Sequence, residues 1–308
     1  MIVFEKPLTK NWEYYEIGRE AGEIALNDAR LKFDEIKAAV CSYCYGEPTC
    51  GQRAVYELGM TGIPIFNCNN NCSSGSSALM LASSLIKSNE FDCVLALGFE
   101  KMEINSVVSA PTSDGGAAVI LCSYEYVLKH GLEGNAVEVL SQSMQTDQSK
   151  TFDGNFSDVC GLYLAEKGIL EKLIRVDVLE VHDCFSPAEL MLYEKLGLCE
   201  EGKAVELINT LEWVKNENGG EVGLIGDQKK WCVNPSGGLE SKGHPIGASG
   251  ISQCVELCLQ LRNEARERQV PGNPKVGLQH NYGIGSSCVL SLYKKFILKN
   301  EDSIKCKI

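Results

Sequence analysis

Three short patterns occur twice in this chain, in the same order, and that repetition restricts the possible folds more than any other feature. An apolar stretch with a cysteine near its end appears as IKAAVCSYCYG at 36–46 and as VDVLEVHDCFS at 176–186. A helix start rich in small residues appears as CSSGSSALMLASSLI at 72–86 and as GASGISQCVELCLQL at 247–261. A glycine turn feeding a strand appears as TSDGGAAVILCS at 112–123 and as NYGIGSSCVLSLY at 281–293. Strand, helix and strand repeated in order describe a duplicated α/β unit. The halves, 1–124 and 125–308, are expected to pack together with their strand ends facing one cleft.

Between these landmarks the periodicity is plain. Ile17, Ala21, Ile24, Ala25 and Leu26 share one face of a helix predicted over Tyr15–Leu31. FDCVLALGFE is a continuous apolar run, as in a strand covered on both faces. SPAELMLYEKLGL predicts a helix with Ser186 as N-cap and Pro187 in its first turn. Residues 154–172 are expected to be partly helical, and 205–230 to form an exposed insertion with NENGG at its tip.

Cys72 stands where an asparagine-rich loop meets the small-residue helix. A helix start offers unpaired N–H groups and a positive dipole end, so a thiol there is expected to have a lowered pKa and to be a good nucleophile. An inert buried thiol is the other reading of this segment. Of four histidines, His130 reads as an exposed helix end, while His182, His244 and His280 stand at strand ends or in glycine-rich loops, where sites are built. If the strand of EVHDCFS persists, His182 and Cys184 point the same way, which puts a thiol beside an imidazole. Zinc is the rival reading for the cysteines. Cys41 and Cys44 have the C-x-x-C spacing, but no second pair follows at a compatible distance, and no metal site is expected. YGIGSSC leads into a strand, so it is not a dinucleotide fingerprint; such a loop can aim backbone N–H groups at a developing oxyanion.

Composition excludes some partners. A formal net charge of −12 argues against nucleic-acid binding, which needs clustered Lys and Arg. Fifteen cysteines, mostly within apolar runs, suit free thiols in a reducing compartment. The first fifteen residues lack the apolar run of a secretion signal, and no run is long enough to cross a bilayer.

Together YGEPTCGQRAVYELGMTGIPIFNCNNNCSSGSSAL, DCVLALGFEKM, VHDCFSPAELMLYEKLGLC, NPSGGLESKGHPIGASG and LQHNYGIGSSCVLSLYKK resemble the thiolase superfamily, specifically its sterol carrier protein X branch. HDCF combined with GHP and HN-x-G-x-G carries the resemblance to that branch. It implies a five-layered α/β/α/β/α fold of two repeated halves and thiolytic cleavage of medium, long or branched 3-oxoacyl-CoA. Coenzyme A would be a co-substrate, with no permanently bound cofactor. Cys72 would take the acyl group and His244 would activate it. Cys184 would shuttle the proton, changing protonation state near neutral pH. His182 would complete one oxyanion site, and the N–H groups of Cys72 and Gly285 another. His280, Asn281, Gly283 and Ser249 would contact substrate. A homodimer and a peroxisomal address also follow, the C-terminal CKI being a loose match to a peroxisomal signal. Two departures stand out. The family has an apolar strand ahead of the FEKP-like segment, so a central strand of the first half is expected to be missing. A long loop domain that covers CoA is replaced by EINSVVSA, 103–110. A catalytically weak protein that binds acyl-CoA or lipid, or that partners a full-length subunit, is the alternative.

Overall fold

The computed structural model describes residues 3–7, 9–102, 111, 113–146, 176–284 and 287–298. The first half contains β1 (Val3–Glu5), α1 (Tyr14–Ala29), β2 (Ala38–Ser42), α2 (Cys50–Tyr56), β3 (Ile65–Cys68), α3 (Ser74–Lys87), β4 (Cys93–Glu100) and β5 (Asp114–Cys122). After α4 (Tyr124–His130) come β6 (Val137–Thr146), β7 (Val178–Glu180), α5 (Ser186–Lys195), α6 (Ala204–Ile208), β8 (Glu212–Lys215), β9 (Glu221–Leu224), β10 (Cys232–Val233), α7 (Gly238–Lys242), α8 (Ile246–Arg262), β11 (Val276–Gly283) and β12 (Ser287–Lys295).

The duplication is visible in strand pairing. One five-stranded sheet runs β3-β2-β4-β5-β1 and the other β10-β7-β11-β12-β6. In both, the first two pairings are parallel and the last two antiparallel. The three sequence echoes therefore fall on equivalent elements: β2 with β7, α3 with α8, β5 with β12. Helices α3 and α8 lie between the sheets, where Ala78, Ala82, Ala248, Ile251 and Leu257 meet Val94, Ala96 and Val178. Ile17 and Ala54 pack α1 and α2 on the outer face of the first sheet, against Leu95 and Phe99. Leu192, Leu196 and Leu207 of α5 and α6 cover the second, against Leu179 and Leu278. These are the five layers. Every residue of β4 is buried because helices cover both faces, which is why that strand reads as unbroken apolar sequence.

The central helices touch through glycine. A Cβ on Gly75 would lie 2.8 Å from the Ile251 backbone N, and one on Gly250 would lie 2.4 Å from the backbone N and the Oγ of Ser76. Small residues at the start of both helices thus set how closely the two halves approach.

Several expectations need correction. The opening strand belongs at the edge of its sheet, where β1 pairs with β5 at Val3, Phe4 and Glu5; the centre is filled by β4. Helix α5 starts one residue earlier than predicted, with Phe185 as N-cap; Ser186 uses its hydroxyl to donate to Glu240 instead (2.7 Å). The 205–230 insertion contains a β8–β9 hairpin whose inner side buries Val222 and Ile225 in the core. Its NENGG tip is a turn, closed by Asn216 Oδ1 accepting from the N–H groups of Asn218 and Gly220 (both 3.0 Å). Segments 103–110 and 154–172 lie outside the described residues. All cysteines among the described residues are free thiols, and no helix there is long and apolar enough to cross a membrane.

Candidate active site

The cleft forms where the starts of α3 and α8 meet the ends of β2, β4 and β7. Glu100, at the end of β4, ties these together. Its buried carboxylate accepts from the N–H groups of Cys44 (3.0 Å), Tyr45 (3.0 Å) and Gly247 (2.8 Å). Ser42 Oγ donates to the Gly247 carbonyl (2.7 Å), so the peptide that starts α8 is held from both sides by the first half. Burial pushes the Glu100 carboxyl up to about 7. Sequence reading missed this residue; its signal was a carboxylate ending an otherwise apolar strand.

Cys72 precedes α3, whose N-cap is Ser73, and is 5% exposed. Its sulfur and one ring nitrogen each of His182 and His244 lie within 4.8 Å of one another, all three side chains buried. The two imidazoles meet edge-on, ring centroids 5.3 Å apart. By distance alone the trio could hold a metal ion. The expectation of a lowered Cys72 pKa is corrected: burial pushes the thiol up, and this outweighs the N–H groups of Ile284 and of Cys72 itself, which pull the other way. Cys72 therefore rests as a thiol and needs a base. Alkylation of Cys72 by iodoacetamide, followed by peptide mass spectrometry, should keep accelerating with pH beyond the range where a free thiol levels off. A plateau near neutral pH would contradict this.

His244 is built to be that base. Ser249 Oγ donates to the Pro245 carbonyl (2.9 Å), which also takes the backbone N–H groups of Ala248 and Ser249. With the hydroxyl so directed, its oxygen accepts from His244 Nδ1 at 2.6 Å. This leaves a lone pair on Nε2, which is buried with no hydrogen-bond partner among the described residues. Burial first, then the charge of Lys242, lowers the His244 pKa to about 4, so the ring is neutral at physiological pH. Ser249, expected to touch substrate, is fully buried and holds this imidazole.

Strand β7 ends at Glu180, so the strand alternation expected for His182 and Cys184 does not reach them; a loop places both. Asp183 locks that loop by accepting from the Leu239 N–H (2.7 Å) at the start of α7, and Gly238 leaves the room, since a Cβ there would strike the carboxylate. His182 is buried, its Nδ1 3.0 Å from Asn281 Nδ2. Burial, reinforced by His244 and His280, drives its pKa well below the usual histidine range. Cys184 packs on Leu239. Burial, then Cys72 and Asp183, push its thiol up to about 12, which corrects the expectation that it titrates near neutrality. It rests protonated, as a proton donor.

His280, Asn281 and Gly283 belong to β11; His280 and Asn281 are fully buried. Gly283 permits a close approach: a Cβ there would meet the Asn70 carbonyl. Gly285 lies outside the described residues; next to it, the Ile284 carbonyl accepts from Asn71 Nδ2 (3.1 Å), and the Ile284 N–H faces the Cys72 sulfur. A cavity of about 380 Å³ opens elsewhere, between β5, β6 and the far ends of α3 and α8, and none of Cys72, Cys184, His182 and His244 lines it.

Comparison with known proteins gives the family and the fold. Residues 2–113 match the thiolase N-terminal domain and residues 171–295 the thiolase C-terminal domain-like family. Sterol carrier protein 2 of Bos taurus is 37% identical over 396 aligned positions, covering 96% of this chain and 70% of that protein. That alignment is longer than the chain's 308 residues, so the relative carries positions without a counterpart here. Non-specific lipid-transfer protein-like 2 of Caenorhabditis elegans is 32% identical, covering 96% and 94%. Human mitochondrial 3-ketoacyl-CoA thiolase superposes with a TM-score of 0.68 at 13% identity, covering 96% of this chain and 98% of its own. Acat5 thiolase from Ascaris suum, solved in complex with coenzyme A, gives 0.68 at 14% identity with the same coverage. At these identities the two structures speak for the fold alone.

Proposed function

The chain belongs to the thiolase family, in its sterol carrier protein 2 branch, and from that premise we propose that it cleaves 3-oxoacyl-CoA with CoA through an acyl group on Cys72. The carrying observation is the meeting of the Cys72 sulfur with two neutral imidazoles in a buried cluster. His244 Nε2 takes the Cys72 proton, and the thiolate adds to the 3-oxo carbon. The bond between C2 and C3 then breaks, its electron pair forming the enolate of acetyl-CoA. Donors from the imidazoles face that oxygen, each worth roughly 3–4 kcal/mol of barrier. Cys184 gives its proton to C2, becoming a thiolate. CoA–SH returns a proton to Cys184 and its sulfur attacks the acyl carbonyl; Cys72 leaves as thiolate and recovers its proton from His244. The products are acetyl-CoA and an acyl-CoA two carbons shorter.

Medium, long or branched chains, a peroxisomal address and a homodimer go with this reading. Its test is to mix the protein with acetoacetyl-CoA and CoA, follow loss of enolate absorbance, and search by mass spectrometry for an acyl group on Cys72. Folded protein that neither turns over nor acylates would refute it. Cys184→Ala should accumulate the acyl-enzyme while steady-state turnover falls by roughly 10²–10⁴, the span of a lost acid–base group. Equal losses of acylation and turnover would remove Cys184 from the proton path.

A second reading, an acyl-CoA or lipid binder with weak catalysis, is favoured by the positions the longer relatives carry and this chain lacks. Binding energy from remote parts of CoA orients the reacting atoms, so a weaker grip lowers kcat as well as affinity.

A further inference from the structure

We infer that Gln279, Ser76 and Asn281 form a polarity relay that fixes the tautomer of His182, making it a hydrogen-bond donor toward Cys72. This rests on the reading above for its catalytic meaning; the geometry stands without it.

The relay starts from a group whose polarity is certain. The Gly250 carbonyl can only accept, and it lies 2.5 Å from one side-chain amide atom of Gln279, which must therefore be the nitrogen, Nε2. Tyr293 OH donates to the other end, Oε1, at 2.6 Å, which agrees. Gln279 Nε2 also donates to Ser76 Oγ at 2.8 Å. An amide nitrogen does not accept, so the Ser76 hydroxyl proton must go elsewhere, and Asn281 lies 2.7 Å away. The Asn281 atom facing Ser76 is thus its carbonyl Oδ1. Reversing that amide would set two donors against Ser76 Oγ and strand its proton in a fully buried site, which costs about 1–3 kcal/mol. Asn281 Nδ2 then faces His182 Nδ1 at 3.0 Å and donates to it. A neutral imidazole that accepts at Nδ1 carries its proton on Nε2.

The two imidazoles therefore hold opposite tautomers. His244 is wired by Ser249 to offer a lone pair, the base that Cys72 needs. His182 is wired by Asn281 to offer an N–H, the donor that an oxyanion needs. The arrangement also withdraws His182 as a metal ligand, because a ligating nitrogen must be bare. Asn281, expected to touch substrate, and Ser76 and Gln279, which sequence reading passed over, act on the reaction through His182 and are positioning residues.

The test reads the tautomer directly. Protein labelled with 15N in the histidine rings gives long-range proton–nitrogen correlations that separate the tautomers, and His182→Gln identifies the His182 signals by their loss. In the unmodified protein His182 should be protonated at Nε2 and bare at Nδ1. Asn281→Asp, which can only accept, should place a proton on Nδ1. Ser76→Ala, a small change in a small-residue helix, frees the Asn281 amide to turn, should give a mixture of tautomers, and should slow Cys72 acylation about tenfold, short of the roughly 10²–10³ of deleting a donor outright. His182 protonated at Nδ1 in the unmodified protein overturns the relay, as does a bare Nδ1 in Asn281→Asp. Where Asn281→Asp does not fold, an unchanged pure Nε2 tautomer in Ser76→Ala overturns it. Because the tautomer is read without substrate, expected tautomers in a protein that never acylates would sink the proposed reaction and leave the relay intact.

Discussion

Cys72→Ser should leave the fold intact and abolish acyl transfer. Oxygen is smaller than sulfur, so the change removes bulk and adds none where Cys72 packs on Met102 and Ile246. The chemistry differs greatly. A hydroxyl is far less acidic than a thiol, and burial already pushes the Cys72 thiol up. A neutral imidazole held near 4 cannot draw a proton from a buried alcohol to a useful extent. Removing the nucleophile of a covalent mechanism costs on the order of 10⁴–10⁶ in rate. After incubation with acetoacetyl-CoA, intact-mass spectrometry should find one acetyl group on the unmodified protein and none on the variant, with identical circular dichroism. A variant that gains the acetyl group as fast as the unmodified protein would show that another of the cysteines does the work.

Gly250→Ala should destabilise the protein and disturb the site together. In an open helix the change would help, by about 1 kcal/mol of helix propensity. Here the new Cβ would lie 2.4 Å from the Ser76 backbone N and Oγ and 2.5 Å from Asn281 Oδ1. A helix backbone cannot step aside without moving α3, and α3 is pinned between the sheets. Overpacking of this kind costs about 1–3 kcal/mol or more, so the net sign reverses. The expected outcome is a fall in melting temperature of roughly 2–5 °C by differential scanning calorimetry. Acylation should fall further than stability explains, because Ser76 moves with α3 and its contact to Asn281 of β11 is disturbed. An alanine variant as stable as the unmodified protein would mean that the helices do not cross at this point.

The fold was legible because it is periodic. Duplicated strands and helices leave duplicated patterns, and layers covered on both faces leave unbroken apolar runs such as β4. Glycine and serine at the starts of α3 and α8 announced a close crossing. The errors fell where side-chain partners replace backbone pattern. Phe185 takes the N-cap position while the Ser186 hydroxyl donates to Glu240 of α7. The HDCF segment leaves the strand because Asp183 is drawn to the start of α7. The 205–230 segment looked polar enough for solvent, yet one side of its hairpin closes over the core.

By itself the sequence determined which groups are present for chemistry and in which halves they stand: Cys72 in one, HDCF, GHP and the HN loop in the other. Their protonation was decided only by tertiary structure. A thiol before a helix reads as acidic from local dipoles, but desolvation by burial, under residues of both halves, raises it, and no nearest-neighbour pattern records how much protein covers an atom. Likewise His182 and His244 are the same residue type in the alphabet of the chain. One becomes an acceptor and the other a donor because their Nδ1 atoms meet opposite partners: Ser249 accepts from that of His244 and Asn281 donates to that of His182, each direction set by a carbonyl further along the network, Pro245 in one case and Gly250 in the other. A hydrogen-bond direction is set by the last group in the network that has no choice, and folding alone determines which group that is.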